Sequence, residues 1–460
     1  MNPTVQLLEP EVLELVRAGR FGELRESLRG IDHADVAEIL AALEPKDAAI
    51  AFRFLPRDFA GEVFAHLDWE RQQELIEELG TESSVHVIEA MDHDDRVALL
   101  DELPTEVAQR LIAALSPEDR RITQAILGYP AESVGRLMTP DYVRVRPDWS
   151  VQRALDHIRK HGRDAATLHW VYVVDEQGRL VDDLKIATLL LADPHASVES
   201  LMDNNFIALS CTADQEDAVH EFAHYDRTAL PVIDSRGVLL GVVTVDDVAD
   251  VAEEEATEDI QKLGGMQALD APYMQASARE LIRKRGFWLG VLLCAQSVSI
   301  LVMASFQNRL EEAIVLSLFM PLVIAMGGNS GSQAASLVIR ALALEEVEPR
   351  EWIKVLRKEI VMGLSLGSIL GVLAVGVTVF WQYVTLTGPQ RTLDPVSVGF
   401  AIGTAIVGCV MWGTLVGSMF PLILRRVGLD PATASSPLVA TIMDSSGLLI
   451  YFTIASVMLL

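Results

Sequence analysis

The spacing of apolar positions changes three times along this 460-residue chain. Up to about residue 130 they recur at helical intervals: Val36, Ile39, Leu40, Leu43, then Phe59, Val63, Phe64, Leu67, then Val107, Leu111, Ile112, Leu115. Leucine–proline steps at Leu43–Pro45, Leu55–Pro56, Leu103–Pro104 and Leu115–Pro117 punctuate the runs, and Asp47, Asp58, Glu106 and Glu118 follow the prolines. Proline in a first helical turn with an acid beside it suits the helix dipole. The pattern predicts an all-α N-domain over residues 1–130, its short helices stacked as a superhelical array. His33, His66, His86 and His93 are scattered through it and read as ordinary surface or core histidines.

From Leu137 the rhythm shortens and a duplication appears. LMTPDYVRVRPDWSVQRALDHI aligns with the stretch that begins LMDNNFIALS at Leu201, and WVYVVDEQGRLVDDLKIATLLL aligns with ALPVIDSRGVLLGVVTVDDVAD. Each copy predicts strand, helix, strand, an Asp-x-x-Gly turn (Asp175 to Gly178, Asp234 to Gly237), strand and helix. The pair, bounded as 131–250 with copies at 137–199 and 200–250, resembles a tandem of cystathionine-β-synthase-type (CBS) modules, α/β units that often bind adenosine ligands. That resemblance implies a ribose contact at Gly241, Thr244 and Asp247 in the second copy. The first copy has Asp182, Lys185 and Thr188 there and lacks the acid, so the two copies give opposite expectations for nucleotide.

Asp247 opens an acidic stretch without a helix breaker before Gly264. Asp247, Asp250, Glu254 and Glu258 fall on one helical face, with Glu255 and Asp259 beside it. Like charges at these intervals repel by a few tenths of a kcal/mol per pair. A solvated face and a cation-held latch both fit. A connecting helix is expected at 251–278, followed by a membrane domain at 279–460.

Continuous apolar runs then place five membrane-spanning helices at Phe287–Phe306, Ala313–Ile339, Ile360–Val384, Val396–Leu424 and Pro437–Leu460. Basic residues cluster before the first span, between the second and third, and at Arg425–Arg426. By the positive-inside rule the N-terminus lies inside and the C-terminus outside. The only charged residue within these spans is Asp444, and no Lys or Arg follows Arg426. A carboxylate near the bilayer centre costs about 2.5–3.5 kcal/mol on insertion scales, so it faces a wet path, an ion or a partner. A cation from solution is the natural partner; a neutral, hydrogen-bonded acid is the alternative. The second span adds Pro321, Gly327, Gly328, Asn329, Ser330, Gly331, Ser332 and Gln333. Small residues fit tight helix packing, while Asn and Gln beside an acid fit a polar conduit. Five spans with one acid make an incomplete wall, which a symmetric dimer would close.

Composition sharpens the picture. Half the residues are hydrophobic and the mean hydropathy is +0.28. Residues 1–275 hold 24 basic and 54 acidic side chains, a net −30 within a chain total of −28. Such a field excludes nucleic acid as a partner and attracts multivalent cations. Cys211, Cys294 and Cys409 are too few and too distant for a disulfide framework or a zinc site. The opening MNPTVQLLEPEVLELVRAG carries no basic stretch followed by an apolar core, so no signal peptide is expected and the N-terminal part is expected in the cytoplasm.

An acidic helical domain, a CBS pair, ATEDIQKLG (Ala256–Gly264), Gly-Gly-Asn-x-Gly in the second span and Pro-Leu-Val-Ala-Thr-x-x-Asp-x-x-Gly in the fifth together resemble the MgtE family of magnesium channels. The resemblance implies a homodimeric, Mg2+-selective channel of the inner membrane, shut when cytoplasmic Mg2+ bridges its acidic elements. It implies a pore site at Asp444 with Asn329, Ser332, Ser436 and Ala440. It implies regulatory metal ligands at Glu62, Asp94, Glu216, Asp226, Asp247, Asp250, Glu255, Glu258 and Asp259. Ser332 and Ser436 stand where asparagines are expected, which implies looser selectivity toward Mn2+ or Co2+. Ala98 replaces an N-domain acid, with Asp94, Asp95 and Asp101 nearby, which implies weaker sensing. Trp170, Ala187 and Thr188 occupy positions associated with ATP, leaving ATP regulation open in both directions.

Three other functions compete. A Na+-coupled divalent-cation carrier would saturate and follow a Na+ gradient. A membrane-anchored nucleotide sensor would not need Asp444. An anion channel is disfavoured by the sign of that residue. Neither a phosphate-cradling glycine loop nor a nucleophile with a paired base is present, so no enzyme is expected.

Overall fold

The computed structural model describes residues 3–28, 30–163, 165–269, 273–274, 276–307, 315–344, 346–385 and 394–459. Parts of the expected elements fall outside them: residues 1–2 of the N-domain, 270–272 and 275 of the connecting segment, 313–314 of the second span, and Leu460. The chain forms two compact units, Met1–Glu253 and Glu254–Leu460.

The first unit opens with short helices: α1 (Pro3–Arg17), α2 (Phe21–Leu28), α3 (His33–Ala42), α4 (Pro45–Arg53) and α5 (Arg57–Ala65). They continue as α6 (Trp69–Leu79), α7 (Thr81–Ile88), α8 (His93–Glu102), α9 (Thr105–Ala114) and α10 (Pro117–Leu127). One apolar cluster from Val5 to Leu115 runs through them. Pro45 and Pro117 sit in first turns as expected, whereas Pro56 and Pro104 cap their helices from outside. Arg96 on α8 is 1% exposed. It donates to the carbonyls of Ile88, Glu89 and Met91 at 2.8, 3.2 and 3.1 Å and pairs with Asp119 at 2.9 Å, fixing α8 between α7 and α10.

After α11 (Val134–Leu137) come the two α/β modules. The first holds β1 (Arg144–Val145), α12 (Val151–His161), β2 (Trp170–Val174), β3 (Leu180–Lys185) and α13 (Ile186–Leu191). The second repeats it as β4 (Leu209–Ser210), α14 (Gln215–Tyr225), β5 (Ala229–Ile233), β6 (Leu239–Thr244) and α15 (Val245–Leu263). In each three-stranded sheet the middle strand pairs parallel with the first and antiparallel with the third. The Asp-x-x-Gly turns now have a cause. Asp175 accepts from Gln177 N and Arg179 N, and Asp234 from Arg236 N and Val238 N, all at 2.8–2.9 Å. Gly178 and Gly237 take φ of +78° and +79°, conformations a side chain would strain. The two turns join reciprocally, Leu180 N donating to Gly237 O at 2.9 Å and Leu239 N to Gly178 O at 3.0 Å.

The second unit begins within α15, which is one unbroken helix as far as Leu263. Among the described residues, five helices are long and apolar enough to cross a membrane. The first span is Ala278–Gln296 followed by Val298–Ser305, interrupted at Ser297. The second is Val315–Ala343, the third Trp352–Thr385, the fourth Pro395–Arg426 and the fifth Ser436–Leu459. The first and third start between two and three turns earlier than expected, because backbone hydrogen bonding continues through residues too polar to face lipid. The second span stays helical through Pro321 and the Gly-rich stretch, so its polarity comes from side chains and not from a break.

Glycines decide how the membrane helices meet. A side chain on Gly413 would collide with the Gly327 carbonyl, and one on Gly417 with that of Gly331. The fourth span thus touches the second backbone to backbone, as small residues permit in lipid.

Candidate ion site and cytoplasmic carboxylate cluster

Asp444 lies on the fifth span, half-buried, with Ser436 and Ala440 eight and four residues before it on the same face. The second span meets that face. Gly328 approaches Ala440, where a Cβ would sit 3.8 Å away, and Ser332 Oγ donates to the Ser436 carbonyl at 3.3 Å. Ser332 thus meets Ser436 through main chain, and Gly328 meets Ala440 one turn along. Asn329 stands three residues before Ser332, exposed on the single chain.

Each of the three residues following Asp444 has a partner. Ser445 Oγ lies 2.9 Å from Ser299 Oγ, Trp412 Nε1 donates to Ser446 Oγ at 3.0 Å, and Cys409 Sγ lies 3.6 Å from Gly447 O. Asp444 itself faces Gln296 of the first span, which sits one turn before Ser299. Sequence reasoning missed Gln296; the available signal was a lone amide within an apolar run.

A second group of acids gathers in the first unit. Val97 of α8 and Val248 of α15 are buried in one apolar cluster with Leu209, Leu230 and Val243. That packing carries Asp94 and Asp95 to Asp247 and Asp246. Burial first, then Asp247, Asp95 and Asp92, hold the Asp94 carboxyl well above the usual carboxylate range. Asp95 is pushed up to about 7 by burial and by Asp247, Asp92, Glu62 and Asp246. Asp247 rises to about 6, burial outweighing the hydrogen bonds it accepts from Thr244. Asp92 and Asp250 are also raised, burial being the main cause in each. Asp92, Asp95 and Asp246 are members that were not singled out, because which of 54 acids converge depends on tertiary packing.

The remaining expected ligands are placed apart. Glu216 lies in the first turn of α14, 3.8 Å from His220, and Asp226 caps the other end of that helix in a left-handed conformation. The strongest charges acting on Asp94 and Asp95 do not come from either. Asp101 pairs with Arg136 at 3.1 Å. In the second unit Lys262 bridges Glu258 and Asp430, the latter at 2.7 Å. Burial works against its charge, but Asp430 and Glu258 outweigh this and raise its pKa. Glu255 and Asp259 lie on the same stretch of α15.

No three His, Cys, Asp or Glu side chains form a ready-made chelate among the described residues. The cluster is a set of half-buried to exposed, mutually repelling oxygen donors, suited to a divalent cation that keeps part of its water.

The two copies differ at the positions where the resemblance implied a ribose contact. Thr244 Oγ1 donates to Asp247 at 2.5 Å. In the first copy Asp182 is fully buried and accepts from Asp203 N and Asn204 N at 2.9 and 3.1 Å, organising a loop. Arg227 covers one face of Trp170 at 3.7 Å and pairs with Asp183 at 3.0 Å.

Comparisons with known proteins agree along the chain. Family profiles match residues 31–132 (MgtE intracellular N domain), 134–190 and 198–254 (CBS domain) and 320–454 (divalent cation transporter). The chain is 37% identical to the magnesium transporter MgtE of Thermus thermophilus, over 97% of each chain. It is 31% identical to the magnesium transporter MgtE of Bacillus subtilis, over 99% of this chain and 98% of that one. Among solved structures, the cytosolic domain of the Mg2+ channel MgtE in complex with ATP is 34% identical, with TM-score 0.51, covering 53% of this chain and 100% of that one. The soluble part of a magnesium transporter is 25% identical, with TM-score 0.52, covering 55% and 99%.

Proposed function

The chain belongs to the MgtE family of magnesium transporters, and on that premise we propose that it is a homodimeric Mg2+ channel admitting Mg2+ to the cytoplasm. Its C-terminus lies outside. Asp444 carries the reading. A single carboxylate at membrane depth, supplied with neutral partners and with no Lys or Arg in the apolar stretches of the spans, attracts a cation without being cancelled by the protein. Mg2+ sheds water reluctantly, so the ion passes with most of its shell, its waters hydrogen-bonding to Asp444, to Asn329 and to the carbonyl-rich stretch at Ser332 and Ser436. Two copies related by a two-fold axis close the path with a pair of aspartates.

Closure is set by the carboxylate cluster. Without metal, Asp94, Asp95 and Asp247 oppose the packing of α8 on α15. Divalent cations convert that repulsion into attraction and favour the packed state by mass action, about 2.7 kcal/mol per site at a hundred times the dissociation constant. Glu62 adds to the field on Asp95 and Asp250 to that on Asp247, and Glu216, Asp226, Glu255, Glu258 and Asp259 are further metal ligands in this reading. The engagement of Ser332 on main chain leaves room beside Asp444, which favours passage of Mn2+ and Co2+ as well. The Thr244–Asp247 pair is the nucleotide contact, and ATP there competes with the metal-bound state for Asp247.

The test is flux and single-channel recording from purified protein in liposomes, with Mg2+ varied on each side. Currents beyond carrier turnover, insensitive to Na+ and suppressed by Mg2+ on the cytoplasmic face, are expected. Saturating flux driven by a Na+ gradient would replace the channel with a coupled carrier.

A further inference from the structure

Of the three consecutive polar residues Asp444, Ser445 and Ser446, Ser445 meets Ser299 of the first span, Ser446 accepts from Trp412 of the fourth, and Asp444 faces Gln296, one turn before Ser299. The first span otherwise has little covered surface. Only 6% of its most apolar window is buried, and Leu293 and Leu301 are 73% and 72% exposed. Phe306 stacks on Phe452 further along, at 5.2 Å between ring centres. The helix is also interrupted at this level. Ser297 ends the Ala278–Gln296 segment and turns its hydroxyl back to the Cys294 carbonyl at 2.6 Å, leaving Gln296 on the last turn.

An amide is a specific choice beside such an acid. A lysine or arginine would neutralise the carboxylate, and an apolar residue would leave it only water as a donor, with nothing to fix its orientation. Glutamine supplies N–H donors and, on the same planar group, an acceptor oxygen. One donor to a charged acceptor fixes its orientation and lowers the cost of its charge without cancelling it.

We propose that Gln296 is a positioning and specificity-determining residue of the ion path: its amide N–H orients the Asp444 carboxylate, and its amide oxygen is a second, neutral acceptor for the water shell of the passing ion. This rests on the reading of Asp444 as the ion site. Two acceptors held at a fixed separation suit one hydration-shell radius better than another, so the pair contributes to the ranking of Mg2+ against Mn2+ and Co2+. Ser299 anchors the span at the next residue and takes no part in binding.

The experiment measures Mg2+ and Mn2+ flux against concentration for full-length protein in liposomes, each variant first checked for parental size and thermal midpoint. Gln296→Leu should raise the half-saturating Mg2+ concentration about tenfold, the scale of one lost hydrogen bond to a charged group, and narrow the Mg2+/Mn2+ preference while maximal flux changes little. Gln296→Asn, a shorter amide, should fall between parent and Leu. Gln296→Lys should silence cation flux by pairing with Asp444. Ser299→Ala should behave as the parent. Parental half-saturation and ion ranking in Gln296→Leu, parental conduction in Gln296→Lys, or an equal shift in Ser299→Ala would each overturn the proposal. Should Gln296→Leu be too unstable to measure, the Asn and Lys variants decide by the same criteria. Asp444→Asn is run in parallel. If it conducts, the ion-site reading itself fails; if it is silent while the Gln296 variants are parental, only Gln296 is misassigned.

Discussion

Two kinds of acid in this molecule meet opposite surroundings. In the cytoplasmic unit, Asp94, Asp95 and Asp247 are crowded together with Asp92 and Asp246, and burial first, then these neighbours, push them toward the neutral form. In the membrane, Asp444 is alone among the spans and is met by an amide, with hydroxyls next to it. Crowding makes an arrangement that is complete only when a cation arrives, which suits sensing. Isolation makes a single attractive point with neutral support, which suits passage, since an ion held by many carboxylates would not leave.

The contrast can be broken most sharply at Asp444. Asp444→Asn keeps the volume and the hydrogen-bonding partners and should reduce Mg2+ flux by about a hundredfold or more, on the scale of removing the sole charge of a site. Parental flux in liposomes would remove the contrast altogether. On the crowded side, Asp94→Asn, Asp95→Asn and Asp247→Asn combined should raise the cytoplasmic Mg2+ needed for half-closure by about tenfold or more. Conduction itself should stay intact, and an unchanged closing concentration would mean the cluster is only a surface.

Protons sharpen the same comparison. The cluster carboxyls have pKa values above their ordinary range in the packed unit, so the packed arrangement binds more protons than a separated one. Its stability contribution is full below the ordinary carboxylate range near 4 and is lost as pH rises through about 6 to 7. In chelator, the soluble unit should therefore resist protease better at pH 5.5 than at pH 7.5, and added Mg2+ should restore resistance at pH 7.5. Equal digestion at both pH values would show that burial and neighbours do not shift these groups. The smallest effect is expected from Lys262→Met. Its partners Glu258 and Asp430 are each about a third exposed, and such pairs contribute about 1 kcal/mol or less. A shift in thermal midpoint of more than several degrees would show that this bridge matters more than its exposure suggests.

What could be read from the sequence follows from how local each signal is. The paired modules were legible because Asp175 and Asp234 make their turn contacts within four residues. Asp444 was legible because one charge in an apolar run is an anomaly without reference to anything else. Its partner Gln296 is 148 residues away and neutral, so neither charge nor period marks it. Asp95 and Asp246 were hidden for another reason: they look like every other acid until Val97 and Val248 are packed into one core. Span borders were misjudged at Ala278 and Trp352 because hydropathy marks where lipid is met and not where the helix starts.

The glycine contact between the second and fourth spans also bears on how the membrane domain answers cold and compression. Backbone pressed on backbone at Gly327, Gly331, Gly413 and Gly417 encloses little empty space and has no rotamers to freeze. Pressure acts on voids, and cooling weakens apolar burial; neither has much to act on there. The thinly covered first span has no such seam, so under pressure or in the cold it should separate first, taking Gln296 and Ser299 from the acid while the two glycine-bound helices stay together.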